Sequence, residues 1–386
     1  METAIVRTPR SALKRWTMFE AAAQPPVFRL PGRPATPRPA PRAFGAWLLV
    51  VAAMVLAIVI VGGITRLTES GLSIVEWDPI LGAIPPLSHA AWQAAFDGYK
   101  AIPQYRAFNT GMTLEGFQHI YFWEFLHRLI ARVFATTLFL VVAVFWWRRQ
   151  IPAGYGSRAI AIVLLGALQG AVGWWMVASG LLYRTEVSHI RLATHLLTGL
   201  LIYGTLIWTA LDLFALARDP QARPARLTGL AVTAILILAL QLMLGAFTAG
   251  LRAGYAFASW PKMGDAWFPA GGWDGAASTL HNLVYNPIVV QFLHRWWAWV
   301  ACVAVLMVAH FAAKTGARTA AVAIAAAVTA QILLGIATLM SGVAIPIAVA
   351  HQATGTLLLG ALLWGGHAIG RDATIRETTP EPLLAR

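Results

Sequence analysis

The sequence predicts an all-α integral membrane protein, with eight transmembrane helices arranged as two parallel-repeat four-helix bundles and both termini cytoplasmic. Three observations lead there. The 386 residues are 58% hydrophobic and 12% charged, whereas a soluble domain carries about 25% charged residues. Eight stretches reach the ~20 mainly apolar residues that a span requires. The second half repeats the order of His, Gln, Gly and Trp found in the first. Backbone groups in lipid must be satisfied within their own segment, so the spans are helices.

Residues 1–42 hold eight prolines and eight Lys or Arg and lack an apolar core. That composition reads as a disordered basic tail rather than a signal peptide, with an Arg-rich mitochondrial transit peptide as the alternative. A first unit, 43–212, contains spans at about 43–65, 118–147, 158–182 and 186–212. A linker, 213–224, leads to a second unit, 225–369, with spans at about 225–250, 285–313, 317–341 and 342–369. Residues 370–386 form a second tail.

The net charge of +13 reflects topology rather than nucleic-acid binding. Arg148, Arg149 and Arg158 follow the second span, and Arg218, Arg223 and Arg226 the fourth. Lys314 and Arg318 follow the sixth, and Arg371 and Arg376 the eighth. The connections 66–117 and 251–284 are the long ones, and in 66–117 the signs mix, with Glu69, Glu76, Asp78, Asp97 and Glu115 beside Arg66, Lys100 and Arg106. By the positive-inside rule the termini are cytoplasmic and the two long connections face outward. Cys302 is the single cysteine, in an apolar run, and reads as a buried structural thiol.

The repeat places four of the ten histidines. "QFLHRWWAW" at 291–299 echoes "EFLHRLIAR" at 124–132, so His294 follows His127 by 167 residues. "AHQATGTLLL" at 350–359 echoes "THLLTGLL" at 194–201, so His351 follows His195 by 156. "LQGAVGWWMVASG" at 168–180 matches "AQILLGIATLMSG" at 330–342 at an offset of 162. Gly62, Thr65, Gly71 and Trp77 match Gly245, Thr248, Gly254 and Trp260 at 183. Two units of the same orientation are parallel repeats about an axis along the membrane normal. His89, His119, His189, His281, His310 and His367 fall outside the pattern and read as surface or hydrogen-bonded structural residues.

Each repeated histidine is expected about nine residues into its helix, ~13 Å from the outer end. The pairs His127 with His195 and His294 with His351 suit a metal or a haem. Zinc would require two more ligands, and only the first unit has a nearby carboxylate, whereas a haem needs axial ligands alone. Ala193, Gly199, Ala350 and Gly355 either leave room for a flat macrocycle or let helices approach closely. Arg128 and Arg295, each directly after a ligand, are candidate propionate partners, with snorkelling toward headgroups as the alternative. Glu124 shares a helix face with His127. It is expected to exchange protons or to stabilise positive charge beside a bound porphyrin, with a plain intrahelical pair to Arg128 as the alternative. Arg132 has no assigned role. Arg66, Glu69, Glu76 and Trp77 are expected to cap the first unit's site, or simply to order their loop.

These stretches resemble the haem A synthases. The resemblance covers about 45–369 and includes "GGITRLTESGLSIVEWDPILGAIPP" at 62–86, "MTLEGFQHIYFWEFLHRLIAR" at 112–132, "VSHIRLATHL" at 187–196, "AGLRAGYAF" at 249–257, "NPIVVQFLHRWWAW" at 286–299 and "AHQATGTLLL" at 350–359. It implies oxidation of the C8 methyl of haem O to a formyl group, giving haem A for cytochrome oxidase. It implies that His127 and His195 hold the substrate haem, that His294 and His351 hold a permanent haem b, and that Glu124 is catalytic. Haem O synthase and cytochrome oxidase assembly factors are the implied partners, in the bacterial inner membrane or, alternatively, the mitochondrial inner membrane. The electron acceptor and any homo-oligomer are left open. The cysteine pair of some members is absent, and "SWPKMGD" at 259–265 departs from the commoner form. Two other readings compete: a di-haem electron-transfer cytochrome acting on quinone, and a transporter whose histidines line a proton path.

Overall fold

The computed structural model describes residues 38–78, 81–181 and 184–378. Most of the proposed basic tail, residues 1–37, lies outside the described residues.

Among the described residues the fold is helical. Helix α1 (Pro41–Leu67) is followed by the short α2 (His89–Lys100) and α3 (Pro103–Phe108), then α4 (Leu114–Trp147), α5 (Gly156–Leu181) and α6 (His189–Arg218). The second half contains α7 (Gly229–Gly250), the short α8 (Thr279–Tyr285), α9 (Pro287–Lys314), α10 (Arg318–Met340) and α11 (Ile345–Thr378). Eight of these, α1, α4, α5, α6, α7, α9, α10 and α11, are long and apolar enough to cross a membrane.

Caps explain where the observed boundaries depart from the expected ones. Helix α4 starts at Leu114 rather than near 118 because Thr113 caps it, its side chain accepting from Gly116 N, with Glu115 in the first turn. Asn286 caps α9 through Ile288 N and Val289 N, with Pro287 at the first helical position. Helix α11 continues through the start of the expected second tail, to Thr378, with an Asp372–Arg376 pair one turn apart.

Helix α6 is the most enclosed of the eight and α5 the least. In the first half α1 packs on α4 and α6, and α5 leans on α6. Helices α4 and α6, which carry His127 and His195, make little direct contact, whereas their counterparts α9 and α11 pack against each other. The halves meet where α6 lies against α7 and α11, and α1 against α11.

The two long connections share one end of the bundle, called here the loop end. The first is an ordered cap: Phe96, Tyr99 and Ile102 pack with Phe117 and Ile120 of α4 and with Leu72. Tyr99 is buried, donating to Gln104 and accepting from Asn109, and burial raises its phenol above the usual range. At the opposite end Asp212 accepts from Arg158, His367 and Ala225 N. His367 is thus a hydrogen-bonded structural residue, as its sequence position suggested. His189 is also buried, between the rings of Phe247 and Tyr285, with the Val284 backbone as its polar neighbour.

Candidate functional site

The four repeated histidines each meet a glycine on the preceding long helix. A Cβ added to Gly62, Gly173, Gly245 or Gly335 would stand 2.9, 2.9, 3.0 or 2.9 Å from Cε1 of His127, His195, His294 or His351. Any side chain there would push the imidazole out of place, so these glycines set where each ring lies. His195, His294 and His351 sit about two turns, ~10 Å, inside their helices, and His127 is deeper in its helix only because α4 starts early.

In the second half the pair faces across a cavity of about 290 Å³ lined by His294, His351, Gly245 and Gly335. Two imidazoles on one iron, each nitrogen about 2 Å from the metal, have ring centres about 6 Å apart. The His294 and His351 centres are 6.4 Å apart with their planes at 81°. Among the described residues no three His, Cys, Asp or Glu converge as a metal-binding group, so the donor set suits a two-ligand haem and not zinc. Gly199 and Gly355 make room for side chains of neighbouring helices, and Gly355 also lines the cavity. A Cβ on either would stand 3.2 Å from Nε2 of Gln169 or Gln331, so they accommodate glutamines. Buried Ala193 packs against the second half, near Ala246 and Val290.

Those glutamines escaped the sequence reading. Gln169 Nε2 lies 3.2 Å from His195 Nδ1 and donates to His195 O at 3.0 Å. Gln241 does the same to His294, at 3.1 and 3.0 Å. Gln331 meets His351 through its side chain at 3.5 Å and its backbone oxygen at 3.1 Å. Each glutamine precedes its cradle glycine by one turn, and this Gln-x-x-x-Gly spacing, present three times within the spans, is the signal that could have found them.

Glu124 is buried and fully partnered. Its Oε2 accepts from Ser73 Oγ at 2.7 Å and Ile74 N at 2.9 Å, and its Oε1 from Arg128 at 2.6 Å. Arg128 also donates to the carbonyls of Ile74 and Glu76, and Arg132 to that of Asp78. One face of α4 therefore straps down the segment 73–78, which gives Arg132 the role that its sequence position did not reveal. Helix α9 holds a matching strap. Arg295 donates to the carbonyls of Phe257 and Ser259, the positions 183 residues after Ile74 and Glu76, and also to Lys262. Gln291, at the place of Glu124, donates to Phe257 O. The terminal nitrogens of Arg128 and Arg295, both candidate propionate partners, lie on strap carbonyls and Glu124, while Arg295 also lines the cavity and its buried Nε has no partner among the described residues.

The residues expected to cap the first unit are placed differently too. Arg66 lines the mouth of the second-half cavity and bonds Glu186 and the carbonyls of Ala249 and Gly250. Arg252, a further residue missed from the sequence, lines the same mouth and pairs with Glu186 and Glu69. Only the Glu76 carbonyl is tied to the first strap, and the Trp77 ring lies exposed near Trp174.

Fold and geometry define a class, the multi-pass helical membrane proteins with histidine pairs set between helices. Comparison with known proteins narrows it. Residues 45–363 match the family model COX15-CtaA, described as cytochrome oxidase assembly protein. A heme A synthase of Rhizorhabdus wittichii is 64% identical over 88% of this chain and 97% of its own length. Those of Sphingopyxis alaskensis and Novosphingobium aromaticivorans are 52% and 48% identical, over 88% and 87% of this chain and 96% and 99% of theirs. The chain belongs to the COX15-CtaA family.

Proposed function

We propose that the chain is a haem A synthase, an oxidoreductase that converts the C8 methyl of haem O to a formyl group, built as two parallel-repeat four-helix units. The observation that carries this reading is the pair of histidines at iron-spanning separation on a glycine cradle, in a chain of which most aligns with heme A synthases. The basic residues at the short-connection end favour cytoplasmic termini in the bacterial inner membrane. The di-haem cytochrome and the transporter gain no support from the relatives.

His294 and His351 hold a resident haem b, and His127 and His195 hold substrate haem O. The assignment of chemistry to the first unit rests on two differences. Helices α4 and α6 stand apart where α9 and α11 pack together, which suits a ligand that enters and leaves. Only the first unit carries an acid, Glu124, where the second has Gln291.

With water as oxygen donor, a methyl group and one water give a formyl group, four protons and four electrons. A haem b on the second pair supplies one-electron transfer to an acceptor outside the chain. Glu124 lies one turn from the ligand His127, with its oxygens accepting from Arg128, Ser73 and Ile74 N. Fixed in place by these donors, it is positioned to stabilise positive charge beside a bound porphyrin. Arg128 and Arg295 fix the straps at the loop end of each site. Arg66 and Arg252 line the resident-haem cavity with their charge balanced by Glu186 and Glu69, and the buried Nε–H groups of Arg66 and Arg295, which have no partner among the described residues, are the donors left for propionates.

Pigment extraction from cells carrying Glu124→Ala tests the role of the acid. Haem A falls while haem O or a partly oxidised hydroxy form accumulates. Unchanged haem A removes Glu124 from the chemistry.

A further inference from the structure

A histidine that ligates iron through one nitrogen holds its other nitrogen in a hydrogen bond, which fixes the ring and raises its basicity. Three of the four histidines have such a partner built in. Gln169 and Gln241 reach Nδ1 of His195 and His294 at 3.2 and 3.1 Å, and the backbone oxygen of Gln331 lies 3.1 Å from Nδ1 of His351. The side-chain oxygens of all three glutamines are buried without a partner. In Gln169 and Gln241, whose amides face Nδ1, that oxygen is an acceptor in reserve for the Nδ1–H of a metal-bound imidazole, whereas the Gln331 amide lies 3.5 Å from His351 Nε2 and its backbone oxygen serves Nδ1.

The fourth position differs. One turn before Gly62, the cradle of His127, stands Ile58, at the place that Gln241 takes 183 residues later. Its side chain offers neither donor nor acceptor, so His127 Nδ1, buried, faces only the Ile58 backbone, in a geometry short of a full hydrogen bond.

We propose that Gln169, Gln241 and Gln331 are positioning residues for three of the ligand histidines, and that Ile58 leaves His127 the ligand that detaches most readily, making haem in the first unit the exchangeable one. This rests on the assignment of haem to both pairs. It places substrate entry and product release at the α4 side, where the α4–α6 gap already lies. With haem bound, His195, backed by Gln169, would be the retained ligand and His127 the one that gives way.

The test uses the full-length protein purified in detergent, loaded with haem b, and mixed with excess apomyoglobin as haem acceptor. The wild type loses haem in two phases. Ile58→Gln slows the fast phase about tenfold, the lower end of the usual effect of a partner to a ligand, and raises the low-spin fraction in the absorption spectrum. Gln241→Leu speeds the slow phase by a similar factor and raises the midpoint potential of that haem, because a less basic imidazole stabilises ferric iron less. Gln241→Glu, which keeps an acceptor, restores the slow phase. Ile58→Leu, matched in size, leaves both phases as they are, so a packing effect at this position is seen separately. Haem that binds to both units but leaves at rates indifferent to Ile58→Gln and Gln241→Leu overturns this inference alone. A protein that takes up no haem overturns it together with the proposed function.

Discussion

At the scale of single residues, the site depends on four contacts between a histidine and a glycine. The histidines were legible because each repeats with its neighbours in order, as in "FLHR" at 125–128 and 292–295. Their partners were not, because a Gln169–His195 contact joins residues 26 apart and a Gln241–His294 contact residues 53 apart, on different helices. Arg132 was illegible for a related reason: it is held by a backbone carbonyl, at Asp78, which has no signature in sequence. The glycine cradle makes a sharp prediction. In Gly335→Val the first added carbon already stands 2.9 Å from His351 Cε1, so the ring is displaced. Haem in the second unit falls to a minor fraction by pyridine haemochrome assay, while circular dichroism reports unchanged helix. Full occupancy would mean that the cradle does not set the ring.

At the scale of elements, the spans were readable from composition and length, and the segments at the loop end were not. The cap formed by α2, α3 and the start of α4 is held by aromatic packing around Phe117 and Tyr99, which carries no short-range pattern. The straps depend on arginine side chains reaching carbonyls. Helices α1 and α7 each lead to a residue in the left-handed region, Glu69 with φ 58° and Arg252 with φ 53°, at the same offset of 183. These two residues pair with each other at 2.7 Å. A planar guanidinium presents five donors in a rigid fork, whereas an ammonium has three on a flexible stem. Arg295→Lys is therefore expected to free the segment 257–262, which limited proteolysis and hydrogen exchange would report as faster cleavage and lost protection there. Protection equal to wild type would assign the strap's order to something other than Arg295.

At the scale of the whole molecule, the two halves are joined at both ends by charge and between them by helix packing. The loop end carries the Arg66, Glu186, Arg252 and Glu69 network. The other end carries Asp212, held by Arg158 of α5 and His367 of α11. Leaving a buried charge unpaired costs roughly 3–5 kcal/mol, and less where the lost partner reaches solvent as Arg158 does. Arg158→Leu should therefore destabilise the protein by about 2 kcal/mol, read as a lower thermal midpoint in detergent. An unshifted midpoint would show that Asp212 is satisfied by His367 and Ala225 alone. The central claim is that this bundle oxidises haem O between the histidines of its first half. Its most direct test is the haem extracted from a bacterium lacking its own haem A synthase and supplied with this chain or with His127→Ala. The account predicts haem A with the intact chain and haem O with the substitution; haem O alone from the intact chain, or undiminished haem A from the substitution, would contradict it.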